Sequence, residues 1–311
     1  MRKHFFLLTI AALVLFGCGE NKQNQPAADM DAEEVETSTL SEIQPVANLL
    51  PFYVIPDENG VNFLLQEDFE DNIVPEVPDS LYQYKYIICD NNYYPIRFKG
   101  AQLGNPEEDT YRDVSSNFDN MPGWVFEMQE GRLIDLPGKD NYGLGCVLLV
   151  VDENYKNTTT LFELKDNRYD QNLAPTVSDD LKATFKQRYG REIHCIWAEA
   201  GFGDNDEYQL VNVWFENQGT SALGVTAFIE NDEIKAVKEF PAEYDEWSTW
   251  RVDDEGEFYG LGINQIAMED GVMKFYLYDS GAEGCIYKDY VIKDGMLCEG
   301  NIYKSIYWAP M

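Results

Sequence analysis

From residue 84 onward the chain is cut into short apolar, β-branched and aromatic runs, and each run is stopped by Asp, Asn or Gly. Those residues tolerate positive φ, so the punctuation reads as a series of β-hairpins, and it narrows the fold more than any other feature. Tyr84 to Cys89 meets Asp90-Asn91-Asn92 and then Tyr93 to Phe98. Cys146 to Val151 meets Asp152-Glu153-Asn154 and then Thr158 to Leu164. Tyr208 to Phe215 turns at Glu216 to Gly219 into Ala222 to Ile229, Met273 to Tyr278 follows Asp270-Gly271, and Tyr287 to Ile292 runs into Lys293-Asp294-Gly295. The turns recur at irregular separations, which excludes a propeller or a solenoid.

One segment departs from this pattern. Ser178 can cap a first turn containing Asp179 and Asp180, Leu181 and Phe185 share one face, and Gly190 follows as a stop. The expected fold is therefore mainly β, antiparallel sheets built of hairpins with one clear helix at about 178–189, grading into α+β in the C-terminal half. Asp166 to Thr176 is polar and contains Pro175, so the expected division is a β-rich domain at 49–172 and a helix plus antiparallel β domain at 173–311. A single continuous body is the alternative.

The first 48 residues belong to neither part. Met1 to His4 is basic, Phe5 to Phe16 is an apolar run broken by Thr9, and Gly17 and Cys18 follow. The run is shorter than the about 20 residues a spanning helix needs, which suits a signal peptide at 1–17. Leu15-Phe16-Gly17-Cys18 resembles the lipobox of bacterial lipoproteins, in which a small residue precedes a lipidated cysteine; Phe16 departs from the usual residue at its place. The resemblance implies cleavage before Cys18 and acyl chains such as palmitate on it, with Gly19 rather than Asp next, as in lipoproteins sent to the outer membrane. It also implies a Gram-negative cell envelope, with the periplasmic or surface face left open. Residues 18–48 carry seven acids against Lys22 and no aromatic residue. This reads as a disordered acidic tether with a coil span of roughly 30 Å.

Charge and composition exclude several functions. The chain has 56 Asp plus Glu against 23 Lys plus Arg and a formal charge of -33, so a phosphate backbone is repelled and no nucleic-acid partner is expected. Loss of residues 1–17, which hold Arg2 and Lys3 but no acid, would leave 294 residues at -35. Only His4 and His194 are present, so sites needing several histidines are unavailable. His194 and Cys195 are adjacent and point to opposite faces of a strand, which denies them a catalytic hydrogen bond. Ile193, Cys195 and Trp197 are expected to form the apolar face there.

Cys89, Cys146 and Cys195 lie in strand-like runs and are expected as buried thiols. A two-residue turn at Asp294-Gly295 sets Lys293 opposite Met296, hence Val291 opposite Cys298, so Cys285 and Cys298 are out of register for a bridge. The disulfide pattern is otherwise open. No nucleophile elbow or glycine-rich phosphate loop is present. The segment Asp152 to Glu163 starts like a calcium loop but fails at Lys156 and Asn157, and Asp204 to Glu207 fails at Tyr208; no cofactor is expected, with calcium in an irregular site that no local motif reveals as the alternative.

Pro241 to Gly262 holds the densest mixture of aromatics and acids. Tyr244, Asp245, Trp247, Trp250, Asp253, Asp254 and Glu255 are the candidate ligand-binding residues, because aromatic faces beside carboxylates suit sugars or cations. The opposing reading has Trp247 and Trp250 plugging the sheet core with the acids solvated. Tyr276 with Tyr278 and Tyr303 with Tyr307 suggest a wider tyrosine platform, and Asp79-Ser80-Leu81 resembles the short O-glycosylation acceptor of some Gram-negative envelope proteins. The expected function is a lipid-anchored envelope lipoprotein whose body binds a glycan, a cation or a basic protein. A lipid-anchored glycoside hydrolase using two carboxylates, or a purely structural envelope component, are the alternatives.

Overall fold

The computed structural model describes residues 49–135, 148–166 and 175–308. Cys18, the tether, Cys146 and the boundary near 172 lie outside these residues. Ala47–Met311 forms one compact unit.

The protein is mainly β. β1 (Phe52–Pro56), β2 (Asn62–Gln66), β3 (Tyr84–Cys89), β4 (Asn92–Gln102), β5 (Gly123–Met128) and β6 (Leu148–Asp152) close into a barrel in the order β1-β2-β5-β4-β3-β6. Strand alternation sends Val54, Phe63, Ile87, Ile96, Phe126 and Val150 into the barrel. Their neighbours Tyr53, Ile55, Leu64, Ile88, Val125 and Leu149 point outward, yet they are buried too. This explains why β6 reads as an unbroken apolar run, since each of its faces meets a core.

The outward face packs on a second sheet. α1 (Glu153–Thr158) leads from the barrel to β7 (Thr159–Leu161) and β8 (Leu164–Asp166), and α2 (Asp179–Tyr189) follows. The remaining strands are β9 (Ile193–Phe202), β10 (Tyr208–Phe215), β11 (Ser221–Glu230), β12 (Glu233–Glu243), β13 (Leu261–Glu269), β14 (Val272–Ser280), β15 (Gly284–Lys293) and β16 (Met296–Tyr307). They make a ten-stranded sheet in the order β7-β13-β14-β15-β16-β12-β11-β10-β9-β8. Its two edge strands are joined by Phe162 and Glu163 alone, which span about 10 Å at most, so the sheet curls until its edges meet. Two antiparallel halves touch at β12 and β16 through one parallel bridge, Val237 to Met296.

Three apolar layers result. Phe202, Leu210, Phe228, Ile263, Phe275 and Leu277 fill the lumen of the curl. Leu181 and Phe185 of α2 cover Val211, Val213, Val225 and Ala227 on the outside of one half. Tyr276, Cys285, Tyr287 and Ile306 on the outside of the other half face the barrel. The helix has the caps read from sequence: Ser178 Oγ accepts the Leu181 N–H at 3.2 Å, and Gly190 ends it at φ 61°.

Several local readings are corrected. Asp152 does not turn a hairpin: its carboxylate accepts the Tyr155 N–H at 2.7 Å and caps α1, so β6 and the run after it belong to different sheets. Cys195 is exposed rather than buried. The β9–β10 register slips at His194 and again at Glu199, so Ile193 packs with Ile196 and Ala198 on the α2 side while Cys195 and Trp197 leave that face. The tyrosine ladder is no surface platform, because Tyr276 is fully buried and Tyr278 and Tyr303 pack in the same layer under the barrel. The β15–β16 register matches the expectation, Lys293 opposite Met296 and Val291 opposite Cys298, and Cys195, Cys285 and Cys298 are free thiols.

Candidate functional site

β12 runs to Glu243 and β13 starts at Leu261, which leaves a loop of residues 244–260 over one end of the curled sheet. Two carboxylates set its shape. Asp245 Oδ1 accepts the N–H groups of Trp247 at 2.9 Å and Ser248 at 3.0 Å, and Thr249 Oγ1 donates to the Asp245 carbonyl at 2.6 Å. Asp254, 2% exposed, accepts four more: Thr249 and Gly256 on Oδ1, both at 2.9 Å, and Trp250 at 2.6 Å and Arg251 at 2.8 Å on Oδ2. Burial pushes the Asp254 pKa up, but the four N–H dipoles outweigh it and hold the carboxyl below its ordinary value. Asp253, Glu255 and Gly256 take positive φ around this anchor.

The inner side of the loop is a plug. Trp250 donates its indole N–H to the Phe240 carbonyl at 2.9 Å and stands perpendicular to Trp214, with ring centres 6.2 Å apart. Phe258 lies 5.2 Å from Trp250 and 5.3 Å from Phe240, flat over Gly224, where a Cβ would come within 2.3 Å of its ring. Below it, Asn212 Oδ1 accepts the Thr226 hydroxyl at 2.6 Å while Asn212 Nδ2 donates to the Leu261 carbonyl at 3.1 Å. Gly260, at φ 68°, presses on that amide so closely that a Cβ would lie 2.2 Å from Asn212 Oδ1. Gly260→Ala is therefore expected to cost about 1 to 3 kcal/mol in a urea titration, from the backbone conformation and the collision together.

The outer side is aromatic and acidic. Trp247 is 64% exposed, and its indole N–H donates to Glu246 at 3.0 Å. Tyr244 and Tyr259 are exposed as well, and the Tyr244 ring lies against Gly256. Arg251, whose guanidinium pairs with Asp279, lies 5.9 Å from the Tyr259 ring. Arg251 and Val252 also form one wall of a hollow of about 370 Å³ whose other side includes Gly281 to Ile286 and Ser305 to Tyr307. Burial raises the pKa of Cys285 in this hollow to about 11, so it is a thiol and not a nucleophile at neutral pH.

The seven residues picked from sequence thus divide by role. Trp247 and Tyr244 present rings to solvent, Asp253 and Glu255 are exposed, Trp250 belongs to the plug, and Asp245 and Asp254 are occupied by backbone. Outside those seven lie Tyr259, which shares their aromatic-acidic signature, Arg251, and the hollow beside them, which joins segments far apart in the chain and so has no local signal. His194 is a surface residue beside Glu216 at 3.2 Å, its ring tilted against Trp214 with ring centres 4.1 Å apart.

A second titratable cluster lies under the barrel. Tyr155 donates to Glu269 at 2.6 Å, Tyr276 donates to the same carboxylate, and Lys274 pairs with it at 2.8 Å. Burial first, then neighbouring charge, pushes both tyrosines far above their ordinary pKa, so they remain neutral donors that fasten α1 to the sheet. Among the described residues, no group of three or more His, Cys, Asp or Glu is arranged to hold a metal ion, and no helix is long and apolar enough to cross a membrane. No family model, curated protein or solved structure matches this chain.

Proposed function

We propose that the protein is a lipid-anchored lipoprotein of the Gram-negative cell envelope, attached to the outer membrane through Cys18, and that its β-rich body binds a glycan at the 244–260 loop. The observation that carries the binding reading is the exposed Trp247 ring on a loop fixed from within by Asp245 and Asp254. A ring held in place before binding loses little freedom on contact, so a sugar face can stack on it cheaply. Glu246 beside the ring, with the exposed Asp253, Glu255 and Glu257 of the same loop, offers acceptors for hydroxyls or for an amino sugar and repels anionic saccharides. The anchoring reading rests on the order of basic start, apolar run and Gly17-Cys18.

Metabolic labelling with a fatty-acid probe tests the anchor. Wild type is expected to label and to sediment with membranes, and Cys18→Ala to do neither; unchanged labelling and retention would contradict it. For the ligand, wild-type protein is expected to retain a saccharide from envelope extracts that Trp247→Ala does not retain. Equal retention by both would remove Trp247 from the account.

A further inference from the structure

A different surface, on the barrel, has the character of a peptide-docking groove. The chain leaving β2 runs from Glu67 to Pro78 across the barrel end before the short turn at Asp79–Gln83. Phe69 folds back onto Trp124, ring centres 5.0 Å apart and edge to face, and these two rings with Ile73, Pro75 and Pro78 line a groove of about 620 Å³. Ile73 is 68% exposed and Val74 beside it is exposed too, so the apolar lining continues to the surface. Pro75 and Pro78 have no N–H, which removes two of the donors that an added strand would use.

The rim is uniformly acidic. Glu67, Asp68, Glu70 and Glu76 are the charged residues of the lining, and none of the four makes an ion pair among the described residues. Charge selects the occupant. The chain's own tether, with seven acids and one lysine, is repelled. A second copy is repelled also: once the seven acids and three bases before Leu49 are set aside, 49 acids and 20 bases leave the body at -29. Anionic lipid headgroups are excluded on the same ground.

We propose that this groove docks an extended cationic polypeptide segment of a partner protein, with one aliphatic or aromatic side chain seated against Ile73 over the floor formed by Phe69 and Trp124 while flanking Lys or Arg residues meet Glu67, Glu70 and Glu76. The apolar insertion supplies affinity, and the carboxylates supply encounter rate and selection against acidic partners. This proposal is independent of the 244–260 loop.

The test is fluorescence anisotropy of the full chain with two labelled hexapeptides of equal charge, Lys-Lys-Trp-Leu-Lys-Lys and Lys-Lys-Gly-Gly-Lys-Lys. The first is expected to bind more tightly. Ile73→Ser, at a position exposed enough to leave folding intact, and the pair Glu70→Gln with Glu76→Gln should each weaken the first peptide by about tenfold. The control pair Glu58→Gln with Glu130→Gln, on exposed turns elsewhere, should change it less than about twofold, because distant exposed charges are screened. Equal binding of the two peptides, no effect of Ile73→Ser, or an equal effect of the control pair would overturn the proposal and leave only general attraction of polycations.

Discussion

Asp254→Ala is expected to lower the unfolding free energy by about 3 to 4 kcal/mol, the largest effect of any single change in the 244–260 loop. The substitution leaves four N–H groups, of Thr249, Trp250, Arg251 and Gly256, without their acceptor. Each unsatisfied buried donor costs about 1 to 3 kcal/mol, and partial exposure of the relaxed loop to water keeps the total below the sum. Asp254→Asn keeps one acceptor oxygen but turns an amide N–H₂ towards two donors, so about half of the loss is expected. The pH dependence has a definite sign. The folded-state pKa of Asp254 is depressed below its unfolded value near 3.8, so its contribution is present above the unfolded pKa and lost as pH falls through the folded one. Urea midpoints between pH 7 and pH 2 should therefore fall less steeply in Asp254→Ala than in wild type. Parallel curves would contradict the assignment.

Trp250→Ala is the second large effect, at about 3 kcal/mol, the lower end of the range for removing a packed aromatic ring. Its ring touches Trp214 and Phe258, and its N–H is spent on the Phe240 carbonyl, so the deletion opens the plug of the curled sheet. Trp247→Ala should lie within about 0.5 kcal/mol of wild type, as expected for an exposed side chain away from the core. The contrast is the informative quantity. Two tryptophans three residues apart, equivalent in sequence, are assigned to stability and to binding respectively. Equal losses in chemical denaturation would mean that Trp247 also packs inward and is unfit as a platform.

How far the sequence reached depends on distance along the chain. Hairpins and caps were legible because the residues that decide them are neighbours: Asp294-Gly295 sets the β15–β16 register, and Ser178 and Gly190 bound α2. Barrel closure through β1 and β6, and the join between β12 and β16, pair residues far apart in sequence, and no local pattern specifies them. The same limit applies to side chains. Tyr276 looked like a half-exposed strand residue because the barrel that covers it is built from a distant segment. Asp254 looked like one more solvated acid, since the backbone turn that converges on it becomes visible only in three dimensions. The candidate site was legible as a composition, but its division into anchor, plug and exposed face was not.

The most direct test of the binding account is an array of neutral and amino-sugar oligosaccharides probed with the full chain, with Trp247→Ala and with Tyr244→Ala. The account predicts a saccharide that wild type binds, weakened about tenfold or more in both variants at unchanged thermal stability, the size expected when an aromatic anchor is truncated. Absence of any bound saccharide, or one bound equally by all three proteins, would contradict it.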